Sequence, residues 1–251
     1  MPVNANPLAS AEMSARAADL RVCGVALMLA SLPAGLLSIG GAASASAANT
    51  VKSLPASARV RFDEQRKTIS AIEGEDLLAS RPQRSERDPA AQAIEFISAH
   101  REVFRLKNPA EELKVSAVNR DELGFHHVRL AQVFGGLDVA HCQLIVHFRA
   151  NGALYLINGS YIPTPAALDL RPKLSAAAAV RAIAAELTAE PADWPAALKI
   201  WPARNGAGLL AYEVAASIAP DRAWRVFVDA HSGKILDRIS AVYTADPKSP
   251  P

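Results

Sequence analysis

Six histidines are the side chains in this sequence with the most obvious chemical potential: His100, His126, His127, His141, His147 and His231. A helical metallopeptidase site needs two of them at i and i+4, with a glutamate beside the first to activate water on the shared metal. No HExxH occurs. His126 and His127 are adjacent, so on a strand they point to opposite faces. His141 and His147 share a strand face but lie roughly 20 Å apart at the rise of an extended chain. The pattern therefore reads as solvated strand histidines, with no metal ligands. A nucleophile is no better supported. There is no GxSxG, and Ser160, in Asn158-Gly159-Ser160, reads as a turn residue. Asp229 and His231 flank a hairpin turn, where aspartate is ordinary. Gly206-Ala207-Gly208 has no helix after it and so makes no phosphate cradle. Neither a catalytic nor a cofactor-binding constellation is found.

The elements that carry these residues come next. The chain has 251 residues, of which 50% are hydrophobic, enough for one large or two small folded units. Charge is nearly balanced, 27 basic against 25 acidic, which gives no ground for a nucleic-acid partner. The N-terminus reads as a secretory signal over 1–48. Arg16 and Arg21 precede an apolar run from Val22, and small residues end it at Ala43-Ser44-Ala45-Ser46-Ala47-Ala48. The expected location is thus secreted or periplasmic, with no membrane attachment after cleavage; the alternative is a retained membrane anchor, since the uncharged stretch exceeds ~20 residues. Cys23 falls inside that segment, leaving Cys142 alone in the mature chain. With Leu144, Val146 and Phe148 on the same strand face, Cys142 reads as a buried small hydrophobe.

Asp88-Pro89 opens a helix, with Asp as N-cap and Pro at the first helical position. Ala90, Ala93, Ile94 and Ile97 form its buried stripe, and its end is expected near Phe104. Strand patterns follow at Leu113–Val118, His127–Phe134 and Val139–Phe148. Gly135-Gly136 between the last two is a hairpin signal, and Asn151-Gly152 is a second turn. Pro163–Pro172 reads as a proline-rich linker. A second helix begins at Ser175, its stripe being Ala176, Ala179, Val180, Ile183 and Leu187. Four strand candidates come after it, around Leu198, Leu209–Ile218, Ala223–Ala230 and Lys234–Tyr243. Trp194, Trp201 and Trp224 read as core or domain-interface anchors. The order helix-then-meander occurs twice. The fold class is therefore α+β, with two tandem units, each a helix packed on an antiparallel β-meander in a cystatin-like arrangement.

Two stretches carry a family resemblance. His126-His127-Val128-Arg129-Leu130-Ala131-Gln132-Val133-Phe134-Gly135-Gly136 resembles the fungalysin/thermolysin propeptide motif of thermolysin-like zinc metallopeptidases. Leu209–Ile218 followed by Trp224–Leu236 (WRVFVDAHSGKIL) resembles the end of a PepSY domain, and Leu174–Leu187 is similar to the helix that opens one. The resemblance covers about 110–240. It implies an N-terminal propeptide unit over 49–165, holding the propeptide motif at about 110–160. A PepSY domain over 172–243 and a disordered tail over 244–251 would follow. Within these stretches His127, Arg129, Gln132, Gly136, Tyr212, Trp224, Asp229 and Gly233 are the candidate structural or interface positions.

Such propeptides assist folding of the peptidase and block its active site. The resemblance thus implies a non-enzymatic, exported inhibitor or folding chaperone of a thermolysin-like metallopeptidase, without a cofactor. Two alternatives stay open: a truncated zymogen of such a peptidase, and an envelope binding module with no protease partner.

Overall fold

The computed structural model describes residues 54–78 and 87–242. The stretch 1–48 read as a secretory signal, most of the charged stretch before Asp88 and the C-terminal tail read over 244–251 lie outside the described residues. The element order begins with β1 (Arg59–Asp63) and β2 (Thr68–Glu73), followed by three helices, α1 (Pro89–Ala99), α2 (Arg101–Phe104) and α3 (Pro109–Glu112). Four strands follow, β3 (Leu113–Arg120), β4 (His126–Phe134), β5 (Leu137–Phe148) and β6 (Leu154–Ser160). Helix α4 (Ala176–Glu186) then leads to β7 (Ala196–Pro202), β8 (Gly208–Ala219), β9 (Arg222–Asp229) and β10 (Ile235–Ser240). The protein is thus α+β, dominated by antiparallel sheet.

Local chemistry explains the helix starts. Asp88 accepts from the backbone N–H groups of Ala90 and Ala91, with Pro89 in the first turn. Ser175 accepts from the N–H of Ala178. Helix α1 stops before the expected end near Phe104. At His100 the backbone turns out of the helix, and the single turn α2 ends at Arg105, which is left-handed with φ 57°. That break carries Val103, Phe104 and Leu106 into the core.

The strands follow the order β1-β2-β6-β5-β4-β3 on one side and β7-β8-β9-β10 on the other. Strand β5 belongs to both. It pairs with β4 and β6 antiparallel, and with β7 through a parallel bridge between Val139 and Ile200. The β4–β5 hairpin turns at Gly135 and Gly136, both with positive φ (57° and 80°), as a two-residue type I′ turn requires.

Burial follows the pleat. Val128, Leu130, Leu144, Val146, Phe148, Leu154 and Ile157 face Phe96 and Ile97 of α1 in one core cluster. Ala179, Ile183 and Ala184 of α4 face Leu210, Tyr212, Val214, Val226 and Val228 in a second. A small third cluster of Val139, Cys142, Ile162 and Ile200 lies where β5 meets β7.

Two readings of the sequence change. Ser160 is the last residue of β6, not a turn residue. Gly159 before it has φ 148°, and a Cβ there would lie 2.1 Å from the Gln143 carbonyl oxygen of β5, so the glycine serves close strand approach. The other change concerns His141. It takes the left-handed region with φ 56°, within the stretch of β5 where the register against β4 shifts. His141 and His147 therefore do not share one regular strand face.

Candidate functional site

The two faces of β4 hold different kinds of residue. Val128, Leu130 and Gln132 point into the core, and His127 and Arg129 point outward. Gln132 is only 2% exposed, so its amide must be fully bonded. Its Nε2 donates to the Ile162 carbonyl at 2.7 Å, and its Oε1 accepts from the Ile162 N–H at 3.0 Å. This amide bridge ties the chain beyond β6 to β4 at a place where the strands no longer pair. Tyr161, beside it, accepts from the Ile69 N–H, and burial pushes its phenol well above the ordinary range.

The outward face gathers polar groups. His127 and His147 stand directly opposite each other on β4 and β5. Their Nδ1 atoms are 2.7 Å apart. His127 Nε2 lies 3.1 Å from Asp121 Oδ2, and His147 Nε2 lies 2.9 Å from Asn158 Oδ1. Both rings are partly buried, so the expectation of freely solvated histidines fails for this pair. The cause is register: cross-strand neighbours reach each other, which adjacency in sequence does not reveal. Burial holds the His147 imidazole below its ordinary range; the Asn158 hydrogen bond opposes this, and the charges of His127 and Arg129 add to it. The Asp121 carboxyl is lowered, first by the Phe125 N–H; burial opposes this, and the hydrogen bond to His127 and the Leu123 N–H add to the lowering.

The later candidates converge elsewhere. Asp229 Oδ1 accepts from the N–H groups of His231 at 2.9 Å and Ser232 at 2.6 Å. Burial acts to raise its pKa, but these backbone bonds outweigh it and leave the carboxyl lowered. Gly233, with φ 75°, closes the turn, and its N–H donates to the Asp229 carbonyl. The N–H groups of Lys173 and Leu174 both donate to the carbonyl of Ala230, and Tyr212 Oη donates to the Leu174 carbonyl at 3.0 Å. Tyr212, Asp229 and Gly233 thus meet at the entry to α4. Trp224 stands apart, with the Arg238 guanidinium 4.6 Å from its ring centre.

The remaining candidates are placed more simply. The carbonyl of Arg129 accepts from Ser116 Oγ. Gly136 has open space around its Cβ position. Trp194 is in the second core cluster, and Trp201 packs against Phe227 and His141. Cys142 is buried, and burial pushes its thiol up to about 11, which makes it a poor nucleophile. Asp121 and Asn158 were not among the sequence-derived candidates. Among the described residues there is no group of three or more His, Cys, Asp or Glu side chains able to hold a metal ion. None of the described helices is long and apolar enough to cross a membrane.

Residues 111–161, which span β3 to β6, match the Fungalysin/Thermolysin Propeptide Motif. The matched region is thus of propeptide type and not a peptidase catalytic domain. Bacillolysin of Bacillus subtilis (strain 168) is 31% identical over 160 residues, covering 59% of this chain and 30% of that protein. Bacillolysin of Brevibacillus brevis is 27% identical over 158 residues, covering 57% of this chain and 30% of that protein. The chain therefore spans less than a third of the length of the curated relatives it matches. Among solved structures, the Bacillus megaterium YpeB C-terminal domain aligns with a TM-score of 0.33 and 13% identity, over 72% of this chain and 81% of that one.

Proposed function

We propose that this chain serves a thermolysin-like metallopeptidase as its propeptide-type partner, acting as an inhibitor, a folding chaperone or both. The observation that carries this reading is the match of the propeptide motif to the contiguous sheet β3–β6. The similarity to bacillolysins extends over a region three times as long as the motif, so it takes in more than one hairpin. The polar outer face of β4, with His127 and Arg129 partly exposed, suits a protein that binds a partner.

The domain map belongs to the same reading. Residues 49–165 form the N-terminal propeptide unit, and 172–243 form a PepSY domain opened by α4. Each unit is a helix on an antiparallel meander, and the segment 1–48 directs export. The eight candidate positions divide accordingly. Gln132, Gly136, Tyr212, Asp229 and Gly233 maintain the scaffold; His127, Arg129 and Trp224 are available to an interface.

One observation favours a second reading. The relatives are much longer than the region they share with this chain, so the propeptide sheet can also serve a catalytic domain in cis, as in a zymogen. Refolding tests the first reading. A denatured thermolysin-type catalytic domain is diluted into buffer with and without the purified protein, and recovered peptidase activity is measured. The chaperone role predicts a higher yield with the protein present. An unchanged yield, together with no inhibition of the mature enzyme, removes the reading in trans.

A further inference from the structure

Four polar groups lie in line across the outer face of the first sheet: Asp121 in the β3–β4 turn, His127 on β4, His147 on β5 and Asn158 on β6. The proton count of this line is constrained. A carboxylate only accepts, so Asp121 requires a proton on His127 Nε2. The Asn158 carbonyl oxygen requires one on His147 Nε2. Two neutral imidazoles have no more protons to give. Both Nδ1 lone pairs would then face each other across 2.7 Å. The contact is sound in two other states. One extra proton can sit between the Nδ1 atoms, giving a pair with a single positive charge and three hydrogen bonds. Alternatively the pair stays neutral if Asn158 turns its amide and donates to His147. A second extra proton sets N–H against N–H at this distance, in rings whose centres are 4.9 Å apart.

We infer that His127 and His147 form a proton-counting latch between β4 and β5, closed in the neutral and singly charged states and forced open by double protonation in mild acid. The surroundings fit this role. Asp121 favours the first charge. The second is opposed at His147 by the partial burial of its ring and by Arg129 on β4. Tyr155 of β6 borders His147, with the Arg149 guanidinium 4.7 Å from its ring centre. On β2, Glu73 is held by Arg61 at 2.7 Å. Asn119 of β3, opposite His127, is uncharged. Opening the latch would place two like charges on the sheet that carries the propeptide motif, and so change both the charge and the shape of that face. The device needs no peptidase to operate, so its test is independent of the proposed function.

The test is a nitrogen-15 NMR titration of the histidine side chains in the whole protein, in the presence of a metal chelator, from about pH 8 to pH 4. The latch predicts two macroscopic steps for the pair, separated by more than about one pH unit, the lower one below the ordinary histidine range. That lower step should coincide with amide shift changes confined to β4, β5 and β6. His147→Gln should collapse the two steps into one for His127. Asp121→Asn should move the upper step to lower pH. The proposal is overturned if both rings titrate independently in the ordinary range, or if the second proton enters without any change in the β4–β6 amides. It is also overturned if removing the chelator and adding zinc alone reveals a bound metal in place of the proton. Should His147→Gln fail to fold, the native titration and the exposed Asp121→Asn variant still decide it.

Discussion

At the scale of single residues, the polar groups that stabilise this protein are those that satisfy backbone. Asp229 shows it most clearly, since its carboxylate accepts from two N–H groups in a tight turn. Asp229→Ala should cost about 1 kcal/mol in urea unfolding at neutral pH. The sign of its pH dependence follows from the lowered carboxyl. A carboxyl held lower when folded contributes stability above its unfolded pKa and loses it as pH falls through the folded value. Native protein and Asp229→Ala should therefore differ most near neutrality and converge in acid, as pH falls through the lowered folded value. An equal difference at both pH values would show that the side chain acts through packing instead. Gln132 uses the same logic in the core, with two hydrogen bonds to one residue, Ile162.

At the scale of elements, the sequence disclosed type better than register. The starts of α1 and α4 were legible because Asp88-Pro89 and Ser175 are capping chemistry, and the hairpin was legible because Gly135-Gly136 tolerates positive φ. The histidine pair was not. In a regular hairpin the pairing of Phe134 with Leu137 would set His127 opposite Leu144. The observed partner is His147, because β5 accommodates extra residues between Asp138 and Gln143, around the left-handed His141. No local composition announces that irregularity, so Asp121, His127, His147 and Asn158 could not be assembled from spacing. The break of α1 at His100 escaped for a similar reason: the apolar residues beyond it continue into the core by a turn. Two glycines separate packing from backbone effects. Gly159→Ala places a methyl against the Gln143 carbonyl and should cost on the order of 3 kcal/mol by displacing β6 from β5. Gly136→Ala meets open space and should cost only about 1 kcal/mol, from its positive φ. Equal losses in urea titrations of the two variants would contradict this account of the β5–β6 approach.

At the scale of the whole molecule, β5 is the shared member of the two sets of strands, with Val139, Cys142, Ile162 and Ile200 packed at the junction. Lys199 Nζ reaches Asp138 Oδ2 at 2.7 Å across the same seam. The proline-rich connection is pinned at its start: Thr164 N–H donates to the Arg105 carbonyl, and Thr164 Oγ1 accepts from the Lys107 N–H. Limited proteolysis should therefore cut within the more exposed 166–173 before 163–165, and before any strand. Early cleavage inside β5 would contradict the proposed division into two units. The propeptide reading itself rests on the motif over 111–161 and on similarity to bacillolysins. Its most direct test is an inhibition titration. A mature thermolysin-type peptidase is held at fixed concentration, the intact protein is added stepwise, and cleavage of a small peptide substrate is followed. The account predicts activity falling to a plateau near one equivalent of protein. Full activity at a large excess of protein would contradict it.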